Sequence, residues 1–404
     1  MKVLFAHPQP FAQFGALAQQ MLAEGWDVRF AHRFGPDKDT VDGITMLRFD
    51  PGWPIASKTG DYHQPTEYAG VNALGFLRMA LAQRDKGYVP DLVIAHCGWG
   101  VGLCVKDVWP ECRYVAYHEW YYTHDDAPRD AAARRKIGWD STAALDRIRN
   151  MPIIAEFVSA DENWCPTQFQ ASRFPPLLRD QITVLPDGVD DTFFVPDPSA
   201  RLCITDLDLQ HVDHILTYTT RGMEPIRGFP EFMRAVAQLQ KLMPMMHTVI
   251  AGADRVYYGD QPTDGYSWRA RMINDLDLDL SRIHFVGFLD RADYRKLLQA
   301  SGAHVYFSAP FVTSWSLTEA MMAGCLVIGS DTDPVREFVH HDETGLLVDM
   351  ADTDEVVETL HWALQAGPEA TRLREAARDW MLTTHAASHV LPSKTAHLRR
   401  LIGQ

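Results

Sequence analysis

Short apolar runs alternate with longer amphipathic stretches along the first half of the chain. The apolar runs predict strands at Val3–Ala6, Asp27–Ala31, Asp91–His96, Arg113–His118 and Ile182–Val184. A helical spacing of apolar residues predicts helices at Phe14–Glu24 and Leu74–Arg84. Short strands separated by helical segments favour a parallel sheet that carries helices on both faces.

The second half repeats this pattern after a polar, Asp-rich segment, Pro196–His211, which we predict to be an interdomain linker. Its predicted strands are Ile215–Tyr218, His247–Ala251, Ile283–Val286 and Ala303–Phe307, with a helix at Pro230–Leu242. The sequence therefore predicts an α/β fold with two Rossmann-like doubly wound domains that face each other across a cleft. We expect domains at residues 1–196 and 213–385, followed by a C-terminal helix, 386–404, that crosses back to the first domain; Pro392 is the expected break in the last helical stretch.

Composition narrows the class of protein. A chain of 404 residues is too long for a single core, and its formal net charge of -15 argues against nucleic acid as a partner. Six cysteines without a Cys-x-x-Cys pair are typical of reduced thiols in a cytosolic protein. The N-terminus lacks the apolar stretch of a signal peptide, and no apolar run reaches the roughly 18 residues of a membrane span. We expect a cytoplasmic protein, with peripheral contact at the inner face of the membrane left open.

The most informative segment begins with a loop after Ser308 and continues into a helix that starts near Ser314 and ends at Gly324. Exposed amides at a helix N-terminus attract anions, so those of Ser314, Trp315 and Ser316 are candidates to meet a diphosphate or its sugar. Glu319 lies one turn further, among apolar neighbours, where a carboxylate can accept hydrogen bonds from sugar hydroxyls. The two features together predict a nucleotide-sugar site.

The run Glu319-Ala-Met-Met-Ala-Gly324 and the run Thr344-Gly-Leu-Leu-Val348 resemble the donor-binding signature of glycosyltransferase family 4, the glycosyl transferases group 1. The resemblance implies a GT-B fold and transfer of a sugar from a nucleoside-diphosphate sugar, usually with retention of anomeric configuration. It also implies that Glu319 binds the ribose hydroxyls, and that no cofactor is needed.

Phe311 departs from that signature, because the family has a second glutamate eight residues before the one at Glu319. Three interpretations remain open. Backbone amides and Ser or Thr hydroxyls hold the donor sugar, or another acid such as Glu337 compensates, or catalysis is lost. We favour the first, because the other candidate residues persist.

Arg221 and Arg227 follow the first strand of the second half, six residues apart on a Gly-containing loop. Two cations so placed can bracket a diphosphate and offset the charge that builds on a leaving group. The family usually has Arg and Lys here, and Arg227 keeps the charge while binding phosphate in a two-point fashion. By the same resemblance, the backbone near Phe288 and Leu289 selects the base.

His118, at the end of a strand, resembles the active-site histidine of the family by position and is predicted to contact the transferred sugar. The alternative is a histidine satisfied inside the domain interface. His96, close to two glycines, is predicted on the acceptor side. Trp120 would line an acceptor cleft or belong to the core, and Gly15, where the family has a Gly pair near the donor phosphates, either binds or begins a helix.

Asp331-Thr-Asp333 looks like a metal-binding Asp-x-Asp motif, but it lies late in the chain in a turn before Pro334, where Asp residues are mostly solvated or capping. We therefore predict no metal site, with the arginines supplying the positive charge. The predicted function is a retaining hexosyltransferase whose acceptor is a glycan, lipid, protein or metabolite. The alternative is a non-catalytic nucleotide-sugar scaffold or sensor; a GT-B epimerase or phosphorylase is less favoured, since neither the extra acids nor a cofactor-binding lysine can be placed.

Overall fold

The computed structural model describes residues 1–52, 63–123, 139–259 and 261–403, with backbone alone for 139–142. The described residues form two compact units: residues 1–188 together with 387–403, and residues 189–386. Each unit is built on a parallel sheet flanked by helices, which confirms the predicted α/β class with two Rossmann-like sheets.

The first unit contains a sheet of eight strands in the order β3-β4-β2-β1-β5-β6-β7-β8, parallel except for the β3–β4 pair. The strands are β1 Lys2–Ala6, β2 Asp27–His32, β3 Thr40–Val41, β4 Ile44–Arg48, β5 Leu92–His96, β6 Arg113–Tyr117, β7 Glu162–Cys165 and β8 Ile182–Val184. Every residue of β5 is buried, as expected for a central strand covered on both faces.

Among the described residues, the helices that precede the end of this sheet are α1 Gly15–Ala23, α2 Gln64–Asp85, α3 Val105–Val108, α4 Trp139–Ser159, α5 Gln168–Ser172 and α6 Pro176–Arg179. Local sequence explains where some of them begin. Thr167 caps α5, since its hydroxyl accepts a hydrogen bond from the amide of Gln170 at 3.1 Å. The apolar faces of these helices cover both sides of the sheet.

The second unit contains a sheet of six parallel strands in the order β13-β12-β11-β14-β15-β16, and a separate hairpin of β9 and β10. The strands are β9 Cys203–Ile204, β10 Leu207–Asp208, β11 Ile215–Gly222, β12 His247–Ala253, β13 Ile283–Gly287, β14 Ala303–Tyr306, β15 Val327–Ser330 and β16 Leu346–Val348. The strand order reverses between β11 and β14, and ligands bind at the carboxyl ends of strands where such a reversal occurs.

The remaining helices are α7 Phe229–Leu242, α8 Trp268–Asp275, α9 Arg291–Gln299, α10 Trp315–Met322, α11 Asp333–Arg336, α12 Thr353–Gln365, α13 Gly367–Thr384 and α14 Ala387–Leu401. Side-chain caps fix the starts of several of them. Asp290 accepts from the amide of Asp293 before α9, and Asp352 accepts from the amides of Asp354 and Glu355 before α12.

The segment Pro196–His211 differs from the linker predicted for it. It carries the β9–β10 hairpin, and Leu202, Ile204 and Leu209 are buried against apolar residues of the second unit. The chain passes from the first unit to the second at Gly188–Val189 instead. The apolar residues that lie between the Asp residues form the buried face of the hairpin, and the polar composition of the segment as a whole did not predict it.

The last helical stretch also differs from the prediction, because Pro392 lies inside α14 and does not end it. The break falls at His385 and Ala386, where Ala386 pairs with Val189. Helix α14 packs on the first unit, where Leu391 and Leu398 join the cluster under the sheet and Arg399 pairs with Glu24 at 3.0 Å.

Candidate functional site

Two arginines lie at the carboxyl ends of the central strands of the second unit. Arg221 is on β11 itself, since the strand continues to Gly222; the loop predicted there begins later. Its guanidinium stacks 4.4 Å from the ring centre of Tyr257 and donates to the hydroxyl of Tyr258 at 3.1 Å. Arg227 closes the 3-10 turn Pro225–Arg227, so the chain reverses and brings it back toward the same edge.

Arg227 is 8% exposed, and its Nη1 donates to the hydroxyl of Ser308 at 2.9 Å and approaches the hydroxyl of Tyr306 at 3.4 Å. Within the described ranges, neither Arg227 nor Arg221 has a carboxylate at ion-pair distance; both contact hydroxyls and aromatic rings. A buried cation without a counter-charge costs free energy, and an anion bound beside it would offset that cost. The arrangement is that of an anion site.

The N-terminus of α10 joins this site through Tyr306. The Ser314 amide donates to the Tyr306 hydroxyl at 2.7 Å, and the same hydroxyl faces Arg227. Ser314 caps the helix, with its Oγ accepting from the amide of Ser316 at 3.3 Å, and Trp315 is the first helical residue. The helix therefore starts where the sequence predicted, and its positive end adds to the field of Arg227.

Glu319 lies one turn into α10 and is half-buried. Its Oε2 accepts a hydrogen bond from the Tyr294 hydroxyl of α9 at 3.1 Å. Burial raises the pKa of the Glu319 carboxyl, and the hydrogen bond from Tyr294 offsets only part of that rise. One carboxyl oxygen is thus fixed by Tyr294, and the other points to no partner among the described residues.

Phe311 belongs to an aromatic group above the arginines. It is 5% exposed, its ring centre is 5.0 Å from that of Tyr258, and the Arg227 guanidinium lies 5.5 Å above it. The structure thus places an aromatic pair beside Arg227. Glu337, the acid considered as a substitute, follows α11 and is half-buried.

Glu224 is a buried carboxylate that the sequence reading missed. It has no exposed surface, and its oxygens accept hydrogen bonds from the amides of Tyr257, Tyr258 and Gly259 at 3.3, 2.9 and 2.8 Å. These contacts fix the loop that carries Tyr257 and Tyr258 over Arg221. No sequence signal marks this role, because the amides come from residues more than thirty positions away.

Phe288 and Leu289 follow β13 after Gly287, whose φ of 68° needs the freedom of glycine. Phe288 is 67% exposed, whereas Leu289 packs against buried residues of the second unit, including Leu297. An exposed aromatic ring at the carboxyl edge of the sheet offers a stacking surface for a planar base.

A second polar group lies at the carboxyl ends of β1, β5 and β6 in the first unit. The His96 Nε2 is 3.5 Å from Oε2 of Glu119, and Gln13 donates to the other carboxyl oxygen at 3.0 Å. Burial alone would raise the pKa of Glu119, but its hydrogen bond with His96 and the nearby histidine charge hold the pKa below its ordinary value. Burial lowers the pKa of His7 to about 3, so His7, whose ring centre is 5.0 Å from that of His96, is neutral.

His118 and Trp120 are buried, as is His96, whereas the Glu119 side chain is partly exposed. The His118 ring is 1% exposed, donates from Nε2 to Asn163 Oδ1 at 2.8 Å, and packs 5.4 Å from the ring centre of Phe174. Burial lowers its pKa to about 4, so it is neutral at physiological pH. Trp120 is 7% exposed and packs against Phe169, in the manner of a core residue. The structure therefore pairs the buried His96 with the partly exposed Glu119.

The loop before α1 has an unusual backbone. Phe11 and Ala12 have φ values of 65° and 33°, a left-handed region that residues with a Cβ adopt only at a cost. Gly15, in contrast, has an ordinary helical φ of -55°. Two residues other than glycine thus adopt a backbone conformation that favours glycine, whereas Gly15 is simply the first residue of α1.

A third buried carboxylate holds the loop after β5. Glu156 accepts hydrogen bonds from the amides of Gly98 and Gly102 at 2.6 and 2.8 Å, and burial raises its pKa to about 7. Gly100 has a φ of 85°, and a Cβ there would lie 2.0 Å from the Ala69 carbonyl oxygen, so only glycine fits. The loop presents Trp99 beside the ring of His7.

Asp331 and Asp333 both pair with Arg336, at 2.6 and 3.2 Å. The described residues contain no group of three His, Cys, Asp or Glu side chains able to hold a metal ion.

No helix within the ranges that the structure describes has the length and apolar character required to cross a membrane.

Arginines without a described counter-ion and a helix N-terminus, at the carboxyl edge of a parallel sheet, are features with which a Rossmann-like domain can hold a phosphorylated ligand. Models of two families match this chain: the glycosyl transferase family 4 group over residues 24–194, and the glycosyl transferases group 1 over residues 214–380. The chain belongs to glycosyltransferase family 4, which confirms the resemblance read from Glu319–Gly324 and Thr344–Val348.

Among curated relatives, an uncharacterized glycosyltransferase, YqgM, from Bacillus subtilis (strain 168) is 25% identical over 170 residues, 42% of this chain and 44% of the relative. The match thus spans less than half of the relative's length. Among solved structures, sucrose-phosphate synthase from Thermosynechococcus elongatus has a TM-score of 0.72 at 16% identity and covers 99% of each chain. HepE from Anabaena in complex with UDP-glucose has a TM-score of 0.68 at 15% identity, over 99% of this chain and 100% of that one. These structures show the shared GT-B fold.

Proposed function

We propose that this protein transfers a hexose from a nucleoside-diphosphate sugar to an acceptor hydroxyl. The observation that carries the proposal is the buried guanidinium of Arg227, with Arg221 beside it, for which the described residues supply no carboxylate. The chain has a formal net charge of -15, so carboxylates are abundant elsewhere. A cation site kept free of them suits a diphosphate.

The donor site is assigned as follows. Arg221 and Arg227 hold the diphosphate and offset the charge that develops on it as the glycosidic bond breaks. The amides of Ser314 and Ser316 already donate to the Tyr306 hydroxyl and to Ser314 Oγ, so the helix start at Trp315 contributes through its positive electrostatic field. Glu319 binds the ribose hydroxyls, because Tyr294 orients its carboxyl group and leaves one oxygen for another donor. The base stacks near Phe288 and meets the backbone near Leu289.

The acceptor side is assigned to the first unit. The partly exposed Glu119 carboxylate, paired with the buried His96, is offered to an acceptor hydroxyl, and Gln13 donates a hydrogen bond to it. His118 and Trp120 support this region from the core, and Gly15 begins the helix that follows the strained loop. The acceptor is a glycan, lipid, protein or metabolite, and the chain works in the cytoplasm with peripheral membrane contact left open.

Transfer is proposed to proceed with retention and without a metal ion, because two arginines supply the positive charge that a divalent ion supplies elsewhere. Activity should then be unchanged by EDTA. Loss of activity on chelation, restored by a divalent ion, would contradict this part of the proposal.

The experiment for donor binding is a thermal-shift screen of UDP, GDP and ADP and of their glucose or mannose conjugates. A binding nucleotide raises the melting temperature in proportion to its concentration over Kd. Arg221→Ala and Arg227→Ala should abolish the shift, while Arg234→Ala, which removes an exposed guanidinium paired with Glu231 at 3.2 Å, should keep it. A shift retained in both site variants would overturn the assignment of the diphosphate.

A non-catalytic nucleotide-sugar sensor is the second candidate, favoured by the aromatic residue at Phe311 and by the neutral, buried His118. It predicts donor binding without release of the nucleoside diphosphate across a panel of acceptors. Donor hydrolysis or transfer would exclude it.

A further inference from the structure

The position of the diphosphate limits where the donor sugar can lie. This inference rests on the proposed function: if Arg221 and Arg227 hold the diphosphate, the sugar joined to it lies within a few ångströms of both guanidinium groups. The described side chains that contact both arginines are aromatic. Tyr258 accepts from Arg221 at 3.1 Å, and its ring centre lies 5.8 Å from the Arg227 guanidinium.

The Tyr258 ring is well placed to contact a ligand. Tyr258 is half-buried, so part of its ring remains accessible beside the arginines. Phe311 packs behind it with a ring-centre distance of 5.0 Å and an angle of 57° between the planes, and is itself only 5% exposed. Phe311 therefore supports Tyr258, which provides the accessible surface.

Glu224 holds that surface in place. A carboxylate with no exposed surface is stable only if its oxygens accept several hydrogen bonds, and Glu224 receives them from three consecutive amides, including that of Tyr258 at 2.9 Å. The loop and the strand end are also tightly packed: a Cβ on Gly222 would lie 2.5 Å from the Arg255 carbonyl oxygen. The Tyr258 ring is thus fixed from its backbone as well as from Phe311.

We propose that Tyr258, supported by Phe311, forms an aromatic wall for the C–H face of the transferred sugar, and that Glu224 is the positioning residue of this wall. The Glu224 carboxylate is turned inward to the amides of the loop, so the surface that Tyr258 presents is that of its ring. The sugar is therefore recognised by apolar area and not by hydrogen bonds from its hydroxyls to an acid. The ligand class is a hexose with an apolar face, including deoxy forms.

This mode of recognition has a distinct signature in specificity. A site built to hydrogen-bond a hydroxyl rejects the analogue that lacks it by about 10⁴-fold or more, whereas an apolar contact discriminates by about 10² or less. For the wild type, removal of a sugar hydroxyl or hydroxymethyl group should therefore change the affinity less than about a hundredfold. The probes are UDP-glucose and UDP-xylose, with GDP-mannose and GDP-D-rhamnose, its 6-deoxy analogue, as a second pair. A loss above a hundredfold within both pairs would overturn the proposal.

The direct test is calorimetry with UDP and UDP-glucose, or with GDP and GDP-mannose if that pair binds more tightly. The Kd of the nucleotide divided by the Kd of its sugar conjugate measures how much the sugar adds to the affinity. Tyr258→Ala should lower this ratio about threefold to tenfold, as expected from loss of one aromatic contact. Tyr258→Phe keeps the ring and should retain the ratio, as should Tyr266→Ala, which removes a tyrosine that is 55% exposed elsewhere in the unit.

Glu224 is tested as a positioning residue by the same ratio. Glu224→Gln should lower it as Tyr258→Ala does, and combining the two changes should add nothing further, since both act through one ring. Phe311→Leu is a second variant, which leaves Glu224 and its hydrogen bonds to the loop unchanged. It should lower the ratio by a smaller factor.

The outcomes separate the two levels of the argument. If the nucleotide binds but the ratio is unchanged in Tyr258→Ala and Phe311→Leu, the aromatic wall is wrong and the donor site stands. If the wild type binds neither nucleotide nor nucleotide sugar, the proposed function fails and the wall fails with it.

Discussion

The polar groups of the two units differ in how their charges are compensated. In the second unit, Arg221 and Arg227 contact hydroxyls and rings but no described carboxylate. In the first unit, His96 and Glu119 face each other at 3.5 Å, and Gln13 completes the carboxylate's contacts. Similar sheets thus present one site whose cations have no described carboxylate partner and one whose carboxylate has a histidine and an amide as partners. The first suits an anion, and the second suits a neutral hydroxyl.

The largest effect should come from removing the buried cation. Arg227→Ala deletes a guanidinium that is 8% exposed, and the affinity for a nucleoside diphosphate should fall at least about a hundredfold, since a charge-assisted bidentate contact is lost. Calorimetry with UDP and GDP measures it. Arg227→Lys should lose less, because it keeps the charge without the fork geometry. Equal affinity in the wild type, Arg227→Ala and Arg227→Lys would show that the second unit does not bind the diphosphate through this cation.

Glu119→Gln tests the polar group of the first unit formed by Glu119, His96 and Gln13. It keeps the shape and the contact with Gln13, but removes the charge paired with His96. Transfer to an acceptor, followed as release of nucleoside diphosphate, should fall about tenfold to a hundredfold. Donor affinity should stay within about twofold of the wild type, because no diphosphate contact is assigned to this unit. A parallel loss of donor affinity would show that the two sites do not divide the work as proposed.

Glu156 predicts a pH dependence of stability that belongs to the first unit. Its pKa is raised from 4.5 to about 7 in the folded protein. Between pH 4.5 and pH 7 the Glu156 carboxyl is therefore protonated in the native state and ionised in the unfolded state. Stability from this group is therefore full below pH 4.5 and falls as pH rises through 7, by about 3 kcal/mol at most. Denaturant unfolding at several pH values should show this slope in the wild type and a flatter one in Glu156→Gln. An equal slope in both proteins would contradict the assignment.

The smallest effect should come from the strained loop. Ala12 has a φ of 33°, so Ala12→Gly should raise the free energy of unfolding by about 0.5–1 kcal/mol, the relief of strain exceeding the entropy that glycine gains in the unfolded chain. Ala82→Gly, at an exposed position inside α2, is the matched control and should lower stability by about 1 kcal/mol. Destabilisation by both changes to the same extent would mean that the loop at Ala12 is not strained.

Much of the fold was predictable because its central strands are continuous apolar runs. Strand β5 and the helix that begins after Ser314 were predicted within one or two residues. Strand β7 was missed, since Glu162–Cys165 is short and half polar. The linker at Pro196–His211 was misread because Leu202 and Ile204 lie among Asp residues, and only the packed structure reveals which of these residues face inward.

The candidate site was predictable where one local segment carries it, as at Ser314 and Glu319. It was not predictable where the partners are distant in sequence. Glu224 acquires its role from the amides of a loop that follows β12, and Tyr258 acquires its role from Phe311. The left-handed backbone at Phe11 could not be foreseen, because neither that residue nor the next is a glycine.

Helix α14 has a consequence for how the chain acquires its structure during synthesis. The first unit needs Leu391 and Leu398 to complete the cluster beneath its sheet, yet these residues are translated after the whole of the second unit. The nascent first unit therefore exposes an apolar groove while residues 189–386 emerge and fold. Its final stability is gained only after residues 387–401 have been synthesised and have packed on its sheet.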